Sequence, residues 1–243
     1  MKSFIYFIIL LSSLNLLNSV IPKWELEKIA TKLTTTFPYS YVAYEDDWYE
    51  FHLILTRKIF KILKKYFPDI TLFSIINATQ KAYKEYKNYR TKVLEKGKEI
   101  LSLAKKYKKQ IILLCGRPYH IDPEINHNIN KLIMSLGAFL LTEDSIPFVK
   151  CKKEKLEVLN QWTYQSRLYN AARFSLKEKN INVVQLISFG CGTDSIVSDE
   201  VKRILNAGEK IYTGIKIDEN SNLGAIKIRL RSLLETVQEN ALN

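Results

Sequence analysis

The sequence predicts an α/β fold: a doubly wound parallel sheet of the Rossmann or flavodoxin type, with about four βα units, preceded by an α-helical segment. Three observations carry that prediction. After residue 110 come four short apolar runs of buried-strand type, helical periodicity separates each run from the next, and a strongly basic helical pattern stands ahead of them all. The chain has 243 residues, 47% of them hydrophobic, with only 8 Gly and 6 Pro, so it holds enough apolar material for a sizeable core and is not a disordered chain.

Residues 1–35 are apolar. The opening "MKSFIYFIILLSSLNLLNSVIPKWE" has one early lysine, an apolar run, then small and polar residues. It has two readings: a signal-like outline, or an ordinary strand and helix at the start of a domain fragment. The run of about 17 residues is broken by Ser and Asn, too short and too polar for a spanning helix, so no stable membrane insertion is expected. The cysteines Cys115, Cys151 and Cys191 form no even set and no close pair, which suits a reducing compartment. The expected location is cytoplasmic, with secretion as the alternative.

Residues 36–109 form the basic helical segment. Residues 57–109 carry 16 Lys and Arg against 4 Asp and Glu, so the +12 of the whole chain is concentrated there and the rest sums to about zero. Ile54, Leu55, Ile59, Ile62, Leu63 and Phe67 repeat at the spacing of one buried helix face, and Pro68 ends the run. A second helix, from about Ser74 to Tyr107, places Ile75, Ala78, Ala82, Tyr86, Tyr89, Val93, Leu94, Ile100 and Leu101 on one stripe, with a kink or split expected at Gly97. The lysines suit a solvated face. No zinc finger, RNP motif or Arg-rich arm accompanies them, so no nucleic acid is expected, and an anionic ligand such as coenzyme A or ATP, or an acidic partner protein, is the remaining use of the charge.

Residues 110–243 form the α/β domain. "QIILLCG", "AFLLTED", "NINVVQLISFG" and "KIYTGIKID" are the strands. "NHNINKLIMSLG", ending at Gly137, is the first intervening helix and "LNQWTYQSRLYNAARFSLKE" the second. "SDEVKRILNAG", with Ser198 as N-cap and Gly208 past its end, is the third, and "NLGAIKIRLRSLLETVQ" closes the domain. In such a sheet the ligand sits beyond the carboxyl ends of the strands, where strand order reverses. The polar clusters "CGRPYHIDPE", "TEDS", "SFGCGTDS" and "DENSNLG" all fall there. With the common order 2-1-3-4, strands one and three are neighbours, and Cys115 and Cys191 face one crevice.

Cys191 lies between Gly190 and Gly192, so neither neighbour has a side chain to shield the sulfur. A helix start just after it would favour the thiolate, the form that ligates iron or attacks an electrophile. The bland alternative is an inert buried cysteine at a tight turn. Iron–sulfur clusters generally take four cysteine ligands, so any cluster here needs another chain or another ligand type. His120 and His127 with Asp122 and Glu124 have side chains that ligate metals, but in no standard metal spacing, and hydrogen-bonded loop residues are the competing reading. Arg117 beside Gly116 suits a phosphate or a carboxylate. The loop has neither a dinucleotide-binding glycine fingerprint nor a P-loop, and no Gly-x-Ser-x-Gly elbow is present. Trp162, Tyr164 and Tyr169 sit at spacings that indicate core packing.

Four stretches, "GRPYHIDPEINHNINKLIMSLGAFLLTEDSI", "NQWTYQSRLYNAARF", "QLISFGCGTDSIVSDEV" and "KIYTGIKIDENSNLGAIKIRLRSLL", resemble consecutive motifs of the acyl-CoA dehydratase activase-related family. These are large anaerobic proteins joining an ATP-dependent activase module to segments similar to 2-hydroxyacyl-CoA dehydratase and benzoyl-CoA reductase subunits. The likeness covers roughly residues 40–236. It implies ATP-driven delivery of low-potential electrons through iron–sulfur clusters of the 4Fe-4S kind, with an activase or a dehydratase-like subunit as partner, acyl-CoA as the substrate class and ATP held by a separate activase module. An active assembly would be lyase-like or reductase-like, with this chain not autonomous. The alternative is a cluster-free module that binds CoA or a nucleotide, or serves as a scaffold. By the same resemblance Gly116, Arg117, Pro118, Tyr119, His120, Asp122, Glu124 and His127 match a "GRPYH…DPE…NH" cofactor-binding signature, Gly190 and Gly192 flank the family's cysteine position, and Cys191 is the expected metal ligand. Cys115 and Cys151 depart from the family pattern and inherit no role. Asn128 stands where the family prefers Gly.

Overall fold

The computed structural model describes residues 48–149, 156–158, 160, 163–188, 190–218 and 222–242. The 1–35 segment, Cys151 and Trp162 lie outside them. The chain divides into two compact units, residues 1–92 and 93–243.

The first unit holds α1 (Trp48–Leu63) and the greater part of α2 (Leu72–Lys106). Ile59 and Leu63 of α1 pack on Ile75 of α2, with Phe60, Tyr66, Phe67 and Ile70 around them. Apolar residues at four-residue spacing make that contact, and Pro68 in the connection cannot continue α1. Thr71 caps the start of α2, its hydroxyl oxygen accepting from the Ser74 backbone N–H at 3.1 Å. Among the described residues no helix is long and apolar enough to cross a membrane.

Within the second unit, α2 runs through Gly97 without a break, where the sequence predicts a kink or a split. The glycine has a different purpose. A Cβ at residue 97 would lie 1.8 Å from the carbonyl oxygen of Ser145 and 2.9 Å from its carbonyl carbon. The helix meets the loop after the second strand at backbone distance, and only glycine leaves room.

The sheet is four-stranded and parallel, formed by β1 (Ile111–Cys115), β2 (Phe139–Thr142), β3 (Ile181–Ser188) and β4 (Thr213–Ile217) in the order β2-β1-β3-β4. Leu113 pairs with Leu141 on one side and Val183 on the other, and Leu186 pairs with Ile215. Successive side chains of β1 go to opposite faces: Ile111, Leu113 and Cys115 to one core, Ile112 and Leu114 to the other. The first core is closed by Ala104 of α2, by α4 (Thr163–Ser175) and by α5 (Gly192–Ala207). The second is closed by α3 (Ile129–Ser135) and α6 (Leu223–Leu242). Continuous apolar strands are what a sheet covered on both faces requires.

The sequence predicts α5 from Ser198, but it begins at Gly192 with Cys191 in the N-cap position. Ser198 lies inside the helix, donating to the Asp194 carbonyl at 2.7 Å and accepting from Gln185 Nε2 at 3.1 Å. Asp194, in the first turn, complements the positive end of the helix dipole and makes the earlier start favourable. Before α3, His127 and Asn128 both adopt left-handed backbone, with φ of 52° and 60°. The Gly that the resemblance leads one to expect at 128 would suit this backbone, and Asn is among the few other residues that tolerate that region. Gly137, at φ 82°, ends α3 as expected.

Candidate functional site

The carboxyl ends of β1 and β3 lie side by side at the point where strand order reverses. The chain leaves β1 through Gly116, where a Cβ would stand 2.5 Å from His120 Nδ1 and 3.2 Å from Leu186 Cβ. Glycine there lets an imidazole pack directly on the backbone. Pro118 opens a 3-10 turn over Pro118–Ile121, a position that needs no N–H and takes the fixed φ of proline. The turn folds His120 back so that its Nδ1 accepts from the Arg117 backbone N–H at 3.0 Å.

His120 is buried and its Nε2 lies 3.2 Å from Ser188 Oγ, at the end of β3. The Tyr119 hydroxyl lies 2.9 Å from the same Ser188 oxygen. A backbone N–H only donates, so Nδ1 is bare and the imidazole proton sits on Nε2, donated to Ser188. Burial pulls the His120 pKa down from 6.5 to about 4, so the ring is neutral at neutral pH. The consequence is chemical. His120 already points a proton at Ser188, so the two do not form a nucleophile with its general base.

The second half of the site is built on Arg117. Its Nη2 donates to Cys191 Sγ at 2.7 Å and lies 2.9 Å from Asp194 Oδ1, while Nε donates to that same Oδ1 at 2.9 Å. The other Asp194 oxygen accepts from the Ser188 backbone N–H at 3.0 Å. The Arg117 guanidinium also stacks over the Tyr164 ring, 5.1 Å from its centroid. Burial by itself lowers the Arg117 pKa, and the bond to the Asp194 carboxylate outweighs it, so the net direction is up and the charge is fixed. Asp194 is buried, whereas Cys191 is only partly so and stands between the exposed Gly190 and Gly192. Gly190 has φ 72°, which turns the chain from β3 into α5.

Gly116, Arg117, Pro118, Tyr119, His120, Gly190, Cys191 and Gly192 therefore gather at one sheet edge. The remaining candidates do not join them. Asp122 and Glu124 are exposed, and Asp122 Oδ1 accepts from the Glu124 backbone N–H at 2.8 Å, an Asx turn. His127 Nε2 lies 2.9 Å from the Asp218 carbonyl, linking this loop to the one after β4. Among the described residues no group of three or more His, Cys, Asp and Glu side chains is arranged to hold a metal ion.

Cys115 does not share a crevice with Cys191. It is buried in the core under α4 and α5, its Sγ donates to the Leu113 carbonyl at 3.4 Å, and burial, followed by Glu143 and Asp144, pushes its thiol pKa well up. The alternation of side chains along β1 decides this, because the last residue of the strand still points into a core. Asp194, Ser188 and Tyr164 are the site residues that spacing did not reveal. Asp194 carries one signal, an acid three residues after the glycine-flanked cysteine. Tyr164 packs against the first core, as expected, and also covers a face of Arg117.

Residues 16–146 match the family model described as "CoA enzyme activase uncharacterised domain (DUF2229)". No curated protein and no solved structure matches the chain. The match covers more than half of the sequence, and the chain belongs to this family.

Proposed function

We propose that this member of the CoA enzyme activase family is one part of an ATP-dependent electron-transfer system related to the 2-hydroxyacyl-CoA dehydratases. Its contribution is Cys191, one thiolate ligand of an iron–sulfur cluster that an activase or a dehydratase-like subunit completes. ATP belongs to the activase module. The observation behind this reading is the Arg117 to Cys191 contact at the β1/β3 edge, where a partly exposed sulfur stands at a helix start with a cationic donor fixed beside it. Hydrogen bonds to ligand sulfur are one of the means by which proteins hold and tune such clusters. The fit is partial by count. Cys115 is sealed in the core and Cys151 lies outside the described residues, so Cys191 supplies one of the usual four ligands.

Purification under anaerobic conditions together with a neighbouring activase or dehydratase-like subunit tests this. Iron and sulfide should be retained by the complex and fall in Cys191→Ala. A complex with full iron content in that variant overturns the assignment.

A second reading, a cluster-free module that holds a CoA ester or a nucleotide through Arg117, is less well supported because two of the three guanidinium nitrogens are already committed to Asp194 and Cys191. Calorimetry with acetyl-CoA and ATP separates the two. Saturable binding without iron, lost in Arg117→Ala, would favour the second.

A further inference from the structure

The His120, Ser188 and Tyr119 contacts form a chain with a direction. His120 Nε2 carries the proton, because Nδ1 is taken by the Arg117 backbone N–H. Ser188 Oγ accepts that proton's hydrogen bond and has one proton of its own to place. Among the described residues its hydroxyl has one further neighbour in hydrogen-bond range, Tyr119 Oη at 2.9 Å. If Tyr119 donated to Ser188, the serine proton would be left without an acceptor among the described residues, an unsatisfied donor in a partly buried position. The satisfied arrangement therefore runs from His120 to Ser188 to Tyr119, each hydroxyl accepting from the group before it and donating to the next. Such a chain polarises its last member.

That last member faces outward. Tyr119 is 47% exposed, and after accepting from Ser188 its own proton has no acceptor among the described residues. The third guanidinium nitrogen of Arg117, Nη1, likewise has no partner among them, while Nε and Nη2 are held by Asp194 and Cys191. Two oriented donors thus stand at the β1/β3 edge, and no acceptor among the described residues meets them.

We infer that Tyr119 is a binding residue, the terminal donor of this chain, and that it recognises a carbonyl or carboxylate oxygen of a ligand docked beside Cys191, with Arg117 Nη1 as the second donor. Ser188 and His120 are positioning residues that aim its proton. The donor site itself does not depend on a cluster. Its assignment to an acyl thioester, as opposed to a free carboxylate, rests on the reading proposed above.

Two measurements on the full chain test it. Nitrogen NMR of ¹⁵N-histidine-labelled protein should show His120 protonated at Nε2 and bare at Nδ1. The opposite tautomer reverses the chain and overturns the proposal. Separately, acetyl-CoA and acetate, each labelled with ¹³C at the carbonyl carbon, are titrated into wild type and Tyr119→Phe. The carbonyl resonance should move downfield on binding, and Tyr119→Phe should abolish the move and weaken binding about tenfold. Binding of unacylated coenzyme A should be the same in both proteins. Ser188→Ala, which keeps the phenol but loses its orientation, should give an intermediate shift. A response to acetate alone upholds the donor site with a carboxylate ligand and counts against the thioester. No Tyr119-dependent response to either probe overturns the donor site, whatever the iron content of the protein.

Discussion

Arg117 Nη2 lies 2.7 Å from Cys191 Sγ, joining residues 74 positions apart in sequence across the ends of two neighbouring strands. The contact is one side of a three-way arrangement, because the same guanidinium is bonded to Asp194, whose buried carboxylate has the Ser188 backbone N–H as its one further donor among the described residues. The sheet brings the loops together, and the buried acid fixes the arginine that meets the sulfur.

Removing the arginine should therefore hurt more than removing the acid. Arg117→Ala leaves a buried carboxylate unpaired and should destabilise the fold by about 3 kcal/mol, whereas Asp194→Asn keeps an acceptor for Ser188 and should cost about 1 kcal/mol. The double variant should be more stable than the sum of the single losses implies. Urea midpoints of the four proteins check this, and strictly additive losses would show that the pair is not coupled.

At Gly97, helix propensity and packing pull in opposite directions. Alanine is favoured in a helix interior by about 1 kcal/mol, but its Cβ would stand 1.8 Å from the Ser145 carbonyl oxygen, a contact that forces the backbone apart. Gly97→Ala should lower the melting temperature by about 6 to 12 °C, a net loss of about 3 kcal/mol. A rise would mean that α2 and the loop after β2 do not meet this closely.

His120 makes stability depend on pH in a defined direction. Its folded pKa of about 4 lies below the ordinary 6.5, so between those values the unfolded chain binds a proton that the native ring does not. Stability from this group is full above pH 6.5 and falls as pH drops towards 4, by up to about 3 kcal/mol. His120→Gln should flatten that part of the profile. A profile unchanged by the substitution would show that the ring is free to charge in the native state.

Thiol labelling distinguishes the two described cysteines. Cys115 is buried under α4 and α5, whereas Cys191 is partly exposed at the sheet edge. Brief treatment of the native protein with iodoacetamide, followed by peptide mass analysis, should modify Cys191 and leave Cys115 intact until the chain is unfolded. Labelling of Cys115 at a similar rate would contradict the packing of β1.

The sheet was legible because its signals are local. The run "IILLC" is apolar throughout and "INVVQLIS" is apolar except for Asn182, Gln185 and the terminal Ser188, as suits strands covered on both faces, and the helices between them carry their own periodicity. The polar loops marked the carboxyl edge of the sheet for the same reason, since the rule that places them needs only strand direction. What stayed hidden depends on tertiary neighbours. Gly97 gives the same signal whether it breaks a helix or admits a carbonyl oxygen. Ser198 fits an N-cap pattern, yet α5 had already begun at Gly192, where an acid in the first turn and a glycine-flanked cysteine compete with that signal. Cys115 ends a strand beside the polar loop, and only the parity of β1 tells that its sulfur points inward. Asp194, Ser188 and Tyr164 are common residues in unremarkable positions until the fold sets them against Arg117 and His120.

Spectroscopy of the assembled system tests most directly the proposal that Cys191 is a cluster ligand shared with a partner. Electron paramagnetic resonance of the reduced complex with its activase or dehydratase-like subunit should show a cluster signal that shifts when Cys191→Ser replaces sulfur by oxygen and disappears in Cys191→Ala. A signal identical in all three proteins would place the cluster elsewhere and contradict ligation by Cys191.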